Sequence, residues 1–179
     1  MMTNGRRNSK VVKHVLLGMV LSMVLLLSGC NLPWSKLNFR SFAQSMRGQH
    51  MVVIERDRVG NDYVIQPEWA SQGITAWKVA GTQNGDSSLS FQYLEFDSET
   101  NAQKFFSSQA SYFASAAGSG GSRKGNAFST FGNGFYYYAC CVDDKVVLGT
   151  CEAGDLGGFV KVINKMPKIS DLSDDGSLK

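Results

Sequence analysis

The residues of this 179-residue chain that are best suited to covalent or metal chemistry are its four cysteines and two histidines. Three of the cysteines, Cys140, Cys141 and Cys151, lie close together in the sequence. Adjacent residues of a strand point to opposite faces, so Cys140 and Cys141 cannot both face one metal ion without a bulge. Zinc would need further His or Cys ligands, and His50 is the only histidine beyond the basic N-terminal segment. We therefore predict no metal site.

A disulfide between Cys140 and Cys151 stays open as an alternative to free thiols. A hairpin turn at Asp144-Lys145 would place these two cysteines diagonally across neighbouring strands, about 7–8 Å apart, at the limit of disulfide reach. Any pairing among three cysteines leaves at least one thiol free. The sequence favours three small, semi-buried side chains over a bridge.

Nucleophilic catalysis has little support in the sequence. A serine or cysteine nucleophile usually needs a base and a group that orients the base. His50 could be a base for Cys141 or Cys151, but the chain has no Gly-x-Ser-x-Gly elbow. We predict no catalytic residue, and a small cell-envelope hydrolase or thiol-dependent enzyme stays the alternative.

The fourth cysteine, Cys30, follows a targeting pattern. Residues 1–14 carry four basic side chains and no acid, and the run from Val15 to Leu27 is uncharged and mostly apolar. A basic segment followed by a short apolar run is typical of an export signal. The run is shorter than the roughly 20 residues that a spanning helix needs.

The stretch Leu27-Ser28-Gly29-Cys30 resembles the lipobox of bacterial lipoproteins. The resemblance implies cleavage between Gly29 and Cys30, diacylglycerol on the Cys30 thiol, and possible acylation of the new amino group. Membrane lipid would then be a partner through Cys30, and the domain would sit on the extracytoplasmic face of the cell membrane. No other cofactor is expected. The alternative is an uncleaved signal anchor with an ordinary cysteine.

Four segments follow from this pattern: residues 1–29 as signal peptide, 30–35 as lipidated tether, 36–167 as one α+β domain and 168–179 as an acidic, disordered tail. The net charge of +3 comes from 18 basic and 15 acidic residues. Loss of the four basic residues of the signal leaves 14 bases against 15 acids. This balance offers no support for nucleic-acid binding.

The mature chain predicts alternating helices and antiparallel strands. Polar turns between apolar, alternating segments favour antiparallel neighbours. We predict an α+β fold: a single antiparallel sheet of about five strands, a hairpin plus a meander, with helices packed on one face. The predicted elements are a helix at Ser35–Arg47, a possible strand at Met51–Ile54, strands at Ile74–Ala80 and Leu89–Phe96, a helix from Asp97 or Ser98 to Ala117, a flexible loop at Gly118–Gly125, strands at Ala127–Phe131, Phe135–Val142 and Val146–Cys151, and a helix from Asp155 to Pro167. This order is similar to that of bacterial lipoproteins of unknown function, and the similarity implies no activity.

The aromatic strand Phe135–Val142 provides a candidate binding surface. Its alternating side chains form two rows, one of which contains Tyr136 and Tyr138. Helices on a single face would leave this row exposed, and exposed tyrosines are typical of interaction sites. The alternative is a central strand that is buried on both faces.

Together these patterns predict a membrane-anchored, non-catalytic binding or accessory lipoprotein whose partner is an envelope protein or a small ligand. A further alternative is an inhibitor or immunity-type partner of a secreted enzyme.

Overall fold

The computed structural model describes residues 36–47, 51–55, 71–82, 88–169 and 171–179. The predicted signal peptide, Cys30, the tether and His50 lie outside these ranges, so the lipoprotein interpretation stays a prediction. Across the described ranges, no helix combines the length and the apolar character that crossing a bilayer requires.

The described chain forms three α-helices and seven strands. They are α1 Phe39–Met46, β1 Met51–Glu55, β2 Ile74–Thr82, β3 Ser90–Phe96, α2 Glu99–Ala117, β4 Ser122–Lys124, β5 Ala127–Gly132, β6 Phe135–Val142, β7 Lys145–Glu152 and, after one turn of 3-10 helix at Ala153–Asp155, α3 Leu156–Ile163.

All seven strands belong to one antiparallel sheet with the order β1-β2-β3-β7-β6-β5-β4. The predicted α+β class with a single antiparallel sheet is confirmed. The sheet has more strands than the five expected, because β1 pairs with β2 and β4 extends the sheet beyond β5. The sequence of β4 is short and polar, which is why it was expected to lie within the flexible loop before β5.

Two helices begin and end on local signals that the sequence carries. The Asn38 side chain accepts a hydrogen bond from the Ser41 amide at 2.9 Å, and the Ser41 hydroxyl accepts one from the Asn38 amide, which together cap α1. The Ser98 hydroxyl caps α2 by accepting from the Asn101 amide. α2 ends at Gly118, whose φ of +65° is the left-handed conformation that glycine adopts most readily.

Helices cover both faces of the sheet, so the predicted one-sided packing is wrong. Along β3, Phe91 and Tyr93 belong to one hydrophobic cluster, and Leu94 and Phe96 belong to the other. The first cluster takes side chains from α1 and α3, including Phe42, Met46, Phe159, Val160, Ile163 and Met166. The second takes side chains from α2: Ala102, Phe105, Phe106, Ala110 and Phe113. The sequence of a helix can indicate its apolar stripe, but a stripe does not say which sheet face it covers.

A glycine in the central strand allows α3 to lie close to the sheet. A Cβ at Gly149 would lie 2.5 Å from Cζ of Phe159 and 3.0 Å from the Phe91 ring. The space next to the backbone is filled by the Phe159 ring, which stacks on Phe91 with the ring centroids 4.7 Å apart. Gly149 therefore sets the approach of α3 to β7 and β3.

The C-terminal residues 171–179 are ordered, which contradicts the predicted disordered tail. The Asn164 side chain binds both backbone groups of Leu172, accepting from the amide at 2.8 Å and donating to the carbonyl at 2.9 Å. The Leu172 side chain is fully buried. The backbone of Leu172 pairs with that of Leu178 in a short antiparallel bridge. Composition indicated disorder because the segment is acidic and small, but one leucine and one asparagine anchor it.

Candidate functional site

The two tyrosines predicted to form a binding surface are buried in the monomer. Tyr136 is 3% exposed and Tyr138 is 0% exposed. Both rings contact Phe159 edge-on, with ring centroids 5.2 and 6.4 Å away, and the Tyr136 hydroxyl donates to the carbonyl oxygen of Gly176 at 2.5 Å. The prediction that this row is a partner or ligand surface is therefore wrong, because α3 and the C-terminal segment cover it.

The other row of β6 carries the accessible aromatic side chains. Phe135 is 41% exposed and Tyr137 is half-buried, both on the α2 side of the sheet. A series of neighbouring rings connects them to α2. The distances between ring centroids along this series are 6.4 Å from Phe135 to Tyr137 and 5.2 Å from Tyr137 to Phe113. The last distance, from Phe113 to Tyr112, is 6.0 Å. Tyr112 ends this series of rings and is 64% exposed.

The course of α2 leaves a corner of the sheet uncovered. Just before the helix, the Asp97 amide donates to the carbonyl of Gly73 at 2.8 Å, where β2 begins. At its other end, the backbone of Ala117 contacts Gly132 at the end of β5. The helix packs mainly on β5 and β6, so the part of β3 and β7 near Ser90 and Thr150 lies beside the helix and not beneath it.

A groove occupies this uncovered corner, and we call it the α2 groove. It has a volume of about 130 Å³. Its lining residues are Ser90, Gln92, Gln109, Tyr112, Phe113, Leu148, Gly149 and Thr150. None of these residues carries a charge at neutral pH, and the set contains no amine, carboxylate, imidazole or thiol. Such a lining suits binding by shape and hydrogen bonds and offers no acid, base or strong nucleophile.

One polar group in the groove is held in a defined orientation. The indole Nε1 of Trp77 donates to Oε1 of Gln92 at 3.1 Å. Because an indole N–H can only donate, the atom that faces it must be the amide oxygen of Gln92. The amide NH₂ is therefore the end of Gln92 left to bind another molecule. Trp77 thus fixes a hydrogen-bond donor on the floor of the groove.

A second polar cluster, on the opposite face, is structural. The Tyr93 hydroxyl donates to Oε1 of Glu95 at 2.5 Å, and burial together with this carboxylate raises the pKa of Tyr93 far above its ordinary value. Lys78, which lies opposite Tyr93 in the sheet register, is 8% exposed, and its ammonium lies 5.3 Å from the centroid of the Phe39 ring. These contacts hold α1 against β2 and β3.

The cysteines do not form the disulfide that the sequence left open. Cys140 pairs with Val147 and Cys151 pairs with Tyr136, so the two cysteines are four positions apart along the hairpin. Four residues of strand span about 13 Å, well beyond disulfide reach. The predicted diagonal arrangement fails because the turn is at Asp143-Asp144, where Asp143 takes a φ of +54°.

All three described cysteines are buried, and none of them is in a disulfide within the described part of the chain. Burial raises the pKa of the Cys141 and Cys151 thiols to about 12, so both stay protonated at neutral pH. A protonated thiol is a poor nucleophile, because the thiolate is the reactive form. In the part of the chain that the structure describes, no three His, Cys, Asp or Glu side chains are grouped as metal ligands.

Sequence reasoning missed the α2 groove, although one signal for it is present. Tyr112 stands next to Phe113 on a helix whose apolar stripe contains Phe113 but not Tyr112. This signal is weak, because single exposed apolar side chains are common and only a contiguous patch indicates an interaction site. Ser90, Gln92 and Thr150 carry no comparable signal, because polar residues are common in half-exposed strands.

Comparisons with known proteins add little to this geometry. No protein-family model matches the chain, and no curated protein matches it. Among solved structures, the chain is similar to the extracellular domain of PknH from Mycobacterium tuberculosis, with 15% sequence identity and a TM-score of 0.42. The match covers 72% of this chain and 91% of that domain. A similarity at this level carries no argument about function.

Proposed function

We propose that this protein is a lipid-anchored, extracytoplasmic binding protein that is not an enzyme, with the α2 groove as its binding site. The anchor part of the proposal rests on the lipobox-like stretch that ends at Cys30. The binding part is carried by one observation: an uncharged groove flanked by Tyr112, which is 64% exposed on an otherwise polar helix surface. Most of the Tyr112 side chain is therefore accessible to another molecule.

The physical chemistry of lipid anchoring is consistent with stable attachment. Each buried methylene contributes about 0.8 kcal/mol, so two or three acyl chains on Cys30 would hold a domain of this size at a membrane for long periods. The residues between Cys30 and Lys36 would form a short tether.

The alternative of a thiol-dependent enzyme has less support than binding. Its candidate nucleophiles, Cys141 and Cys151, are buried with raised pKa values, and neither lines the α2 groove. His50, the base that such an enzyme would use, lies outside the described residues.

The anchor is tested by replacing the lipidated cysteine. We expect Cys30→Ala to accumulate as a precursor with the full signal, because the peptidase of this class acts on the lipid-modified cysteine. Cys151→Ala also removes one cysteine and should be processed normally. Intact mass spectrometry of membrane fractions measures whether each variant has the precursor mass or the mature mass. A Cys30→Ala protein with the mature mass and normal membrane retention would refute the anchor.

The binding site is tested by placing a photo-crosslinking amino acid at Tyr112 in cells. We expect an adduct at Tyr112 and none with the same probe at Lys161, which is exposed on α3 on the opposite face. A second substitution, Thr150→Arg, fills the groove with a charged side chain and should abolish the Tyr112 adduct. Adducts of equal yield at both probe positions, or an adduct that survives Thr150→Arg, would refute the groove as the site.

A further inference from the structure

We infer that the α2 groove binds a neutral saccharide, an inference that rests on the proposed binding function and names its ligand class. The groove has three properties that together favour this class. Its lining is uncharged, it combines exposed aromatic surface with hydroxyl and amide groups, and its two strands have no free edge.

The absence of charge in the lining selects against ionic ligands. All eight lining residues are neutral at pH 7. A phosphate, carboxylate or ammonium group that entered the groove would lose water without gaining a counter-charge, which is costly. The desolvation cost for a neutral ligand is much smaller.

The aromatic surface suits the apolar C–H faces of sugar rings. Tyr112 is 64% exposed and Phe135 is 41% exposed, at the two ends of the series of rings that borders the groove. Ring faces make weak C–H···π contacts, and tyrosine adds a hydroxyl to the contact area. A saccharide presents C–H groups on its ring faces and hydroxyls at its rim, and both kinds of group find partners here.

The polar groups of the groove match hydroxyl groups, which both donate and accept hydrogen bonds. Gln92 presents its NH₂ as a donor because Trp77 occupies its oxygen. Gln109 and Thr150 add an amide and a hydroxyl to the lining. Five of the eight lining residues carry a polar side-chain group, which disfavours an acyl chain as the ligand.

The sheet topology disfavours an extended peptide. Peptides that bind along a sheet usually add a strand to an open edge. β3 is paired with β2 and β7, and β7 is paired with β3 and β6, so neither strand has free backbone groups to offer. The volume of about 130 Å³ is small beside the roughly 300–1,000 Å³ of drug-sized sites, and it corresponds to one ring-sized unit of a longer ligand.

The test is saturation-transfer-difference NMR on the full lipoprotein in nanodiscs, with four probes: N-acetylated chitotriose, cellotriose, a sulfated trisaccharide and tri-alanine. We expect transfer to chitotriose or cellotriose, and weaker or no transfer to the two charged probes. Tyr112→Ala should weaken binding of the neutral trisaccharide about tenfold or more, as removal of a central aromatic contact does. Gln92→Leu should weaken binding to a smaller extent, because it removes one donor.

The matched control is Phe131→Ala. Phe131 is 53% exposed and pairs with Tyr136, so it lies on the opposite face of the sheet, and its removal should leave saccharide affinity unchanged. Equal losses in Tyr112→Ala and Phe131→Ala would overturn the assignment to the groove. Binding of tri-alanine or the sulfated sugar that is as strong as that of the neutral sugars, or no binding of either neutral sugar, would overturn the saccharide class. A Tyr112 photo-adduct that persisted in that case would leave the proposed binding function standing.

Discussion

The Tyr136 hydroxyl donates a 2.5 Å hydrogen bond to the carbonyl oxygen of Gly176, which joins strand β6 to the C-terminal segment. A Cβ at Gly176 would lie 2.7 Å from the Tyr136 ring, so the segment rests directly on that ring. This contact helps to bury the row of β6 that contains Tyr136 and Tyr138, so the row belongs to the core and is not an accessible binding surface.

Loss of the Tyr136 hydroxyl should destabilise the fold. In Tyr136→Phe the carbonyl of Gly176 loses a buried donor, and we expect a decrease of about 1–2 kcal/mol in the free energy of unfolding, measured by urea titration. Tyr112→Phe removes the same atom from an exposed ring and should cost less than about 0.5 kcal/mol. Equal midpoints for wild type and Tyr136→Phe would contradict the assigned role of this bond.

A methyl group on the central strand should displace α3. In Gly149→Ala the new Cβ would overlap the Phe159 ring, so the ring or the helix must move, and we expect a loss of about 1–3 kcal/mol. Gly154→Ala is the matched control, because no atom lies within 4 Å of the added Cβ. Thermal unfolding followed by circular dichroism measures both variants. A melting temperature for Gly149→Ala at or above that of the control would show that the close approach is not needed.

Stability should fall in alkaline solution. Burial raises the pKa of Cys141 and Cys151 from 9.0 to about 12, and that of Tyr136 from 10.0 to about 12. The folded protein holds these protons more tightly than the unfolded chain, so the stabilisation is complete below about pH 9 and is lost as the pH rises towards 12. Urea unfolding at pH 7, 9 and 10 should show the decrease, and Cys141→Ala/Cys151→Ala should flatten it. If the stability of the double variant fell with pH as steeply as that of wild type, groups other than these two thiols would cause the decrease.

The Asp155 carboxylate should contribute an acid-dependent part of stability. It accepts hydrogen bonds from the Ser88 amide at 2.6 Å and the Ser88 hydroxyl at 2.8 Å, and these lower its pKa below 3.8. Because the pKa of Asp155 is lower in the folded protein than in the unfolded chain, the ionised carboxylate stabilises the fold at pH values above the ordinary pKa. This stabilisation is lost as the pH falls through the pKa of the folded state. The stability difference between wild type and Asp155→Asn should therefore shrink between pH 5 and pH 2.5. Ser88→Ala keeps the amide donor and should lose only part of the acid dependence, whereas parallel curves for all three proteins would contradict the assignment.

Much of the fold could be read from local patterns. Ser98 and Gly118 mark the ends of α2 with a side chain and with backbone freedom, and the alternation in Leu89–Phe96 marks a strand. The predicted start of α1 at Ser35 is wrong, because Asn38 caps the helix. The tight turn at Asn133-Gly134 requires antiparallel neighbours. Each of these signals acts within a few residues, so it is visible without knowledge of the rest of the chain.

The candidate site could not be read in the same way, because alternation in β6 produces two aromatic rows and does not say which one is covered. Phe159 and Gly176, distant in sequence, bury Tyr136 and Tyr138, while the course of α2 leaves Tyr137 and Phe135 at the border of a groove. The proposed anchor rests on the residues up to Cys30, since a targeting signal is recognised as a linear stretch. The proposed binding site depends on the packing of helices on both sheet faces, and that packing follows from contacts between remote residues that no local pattern encodes.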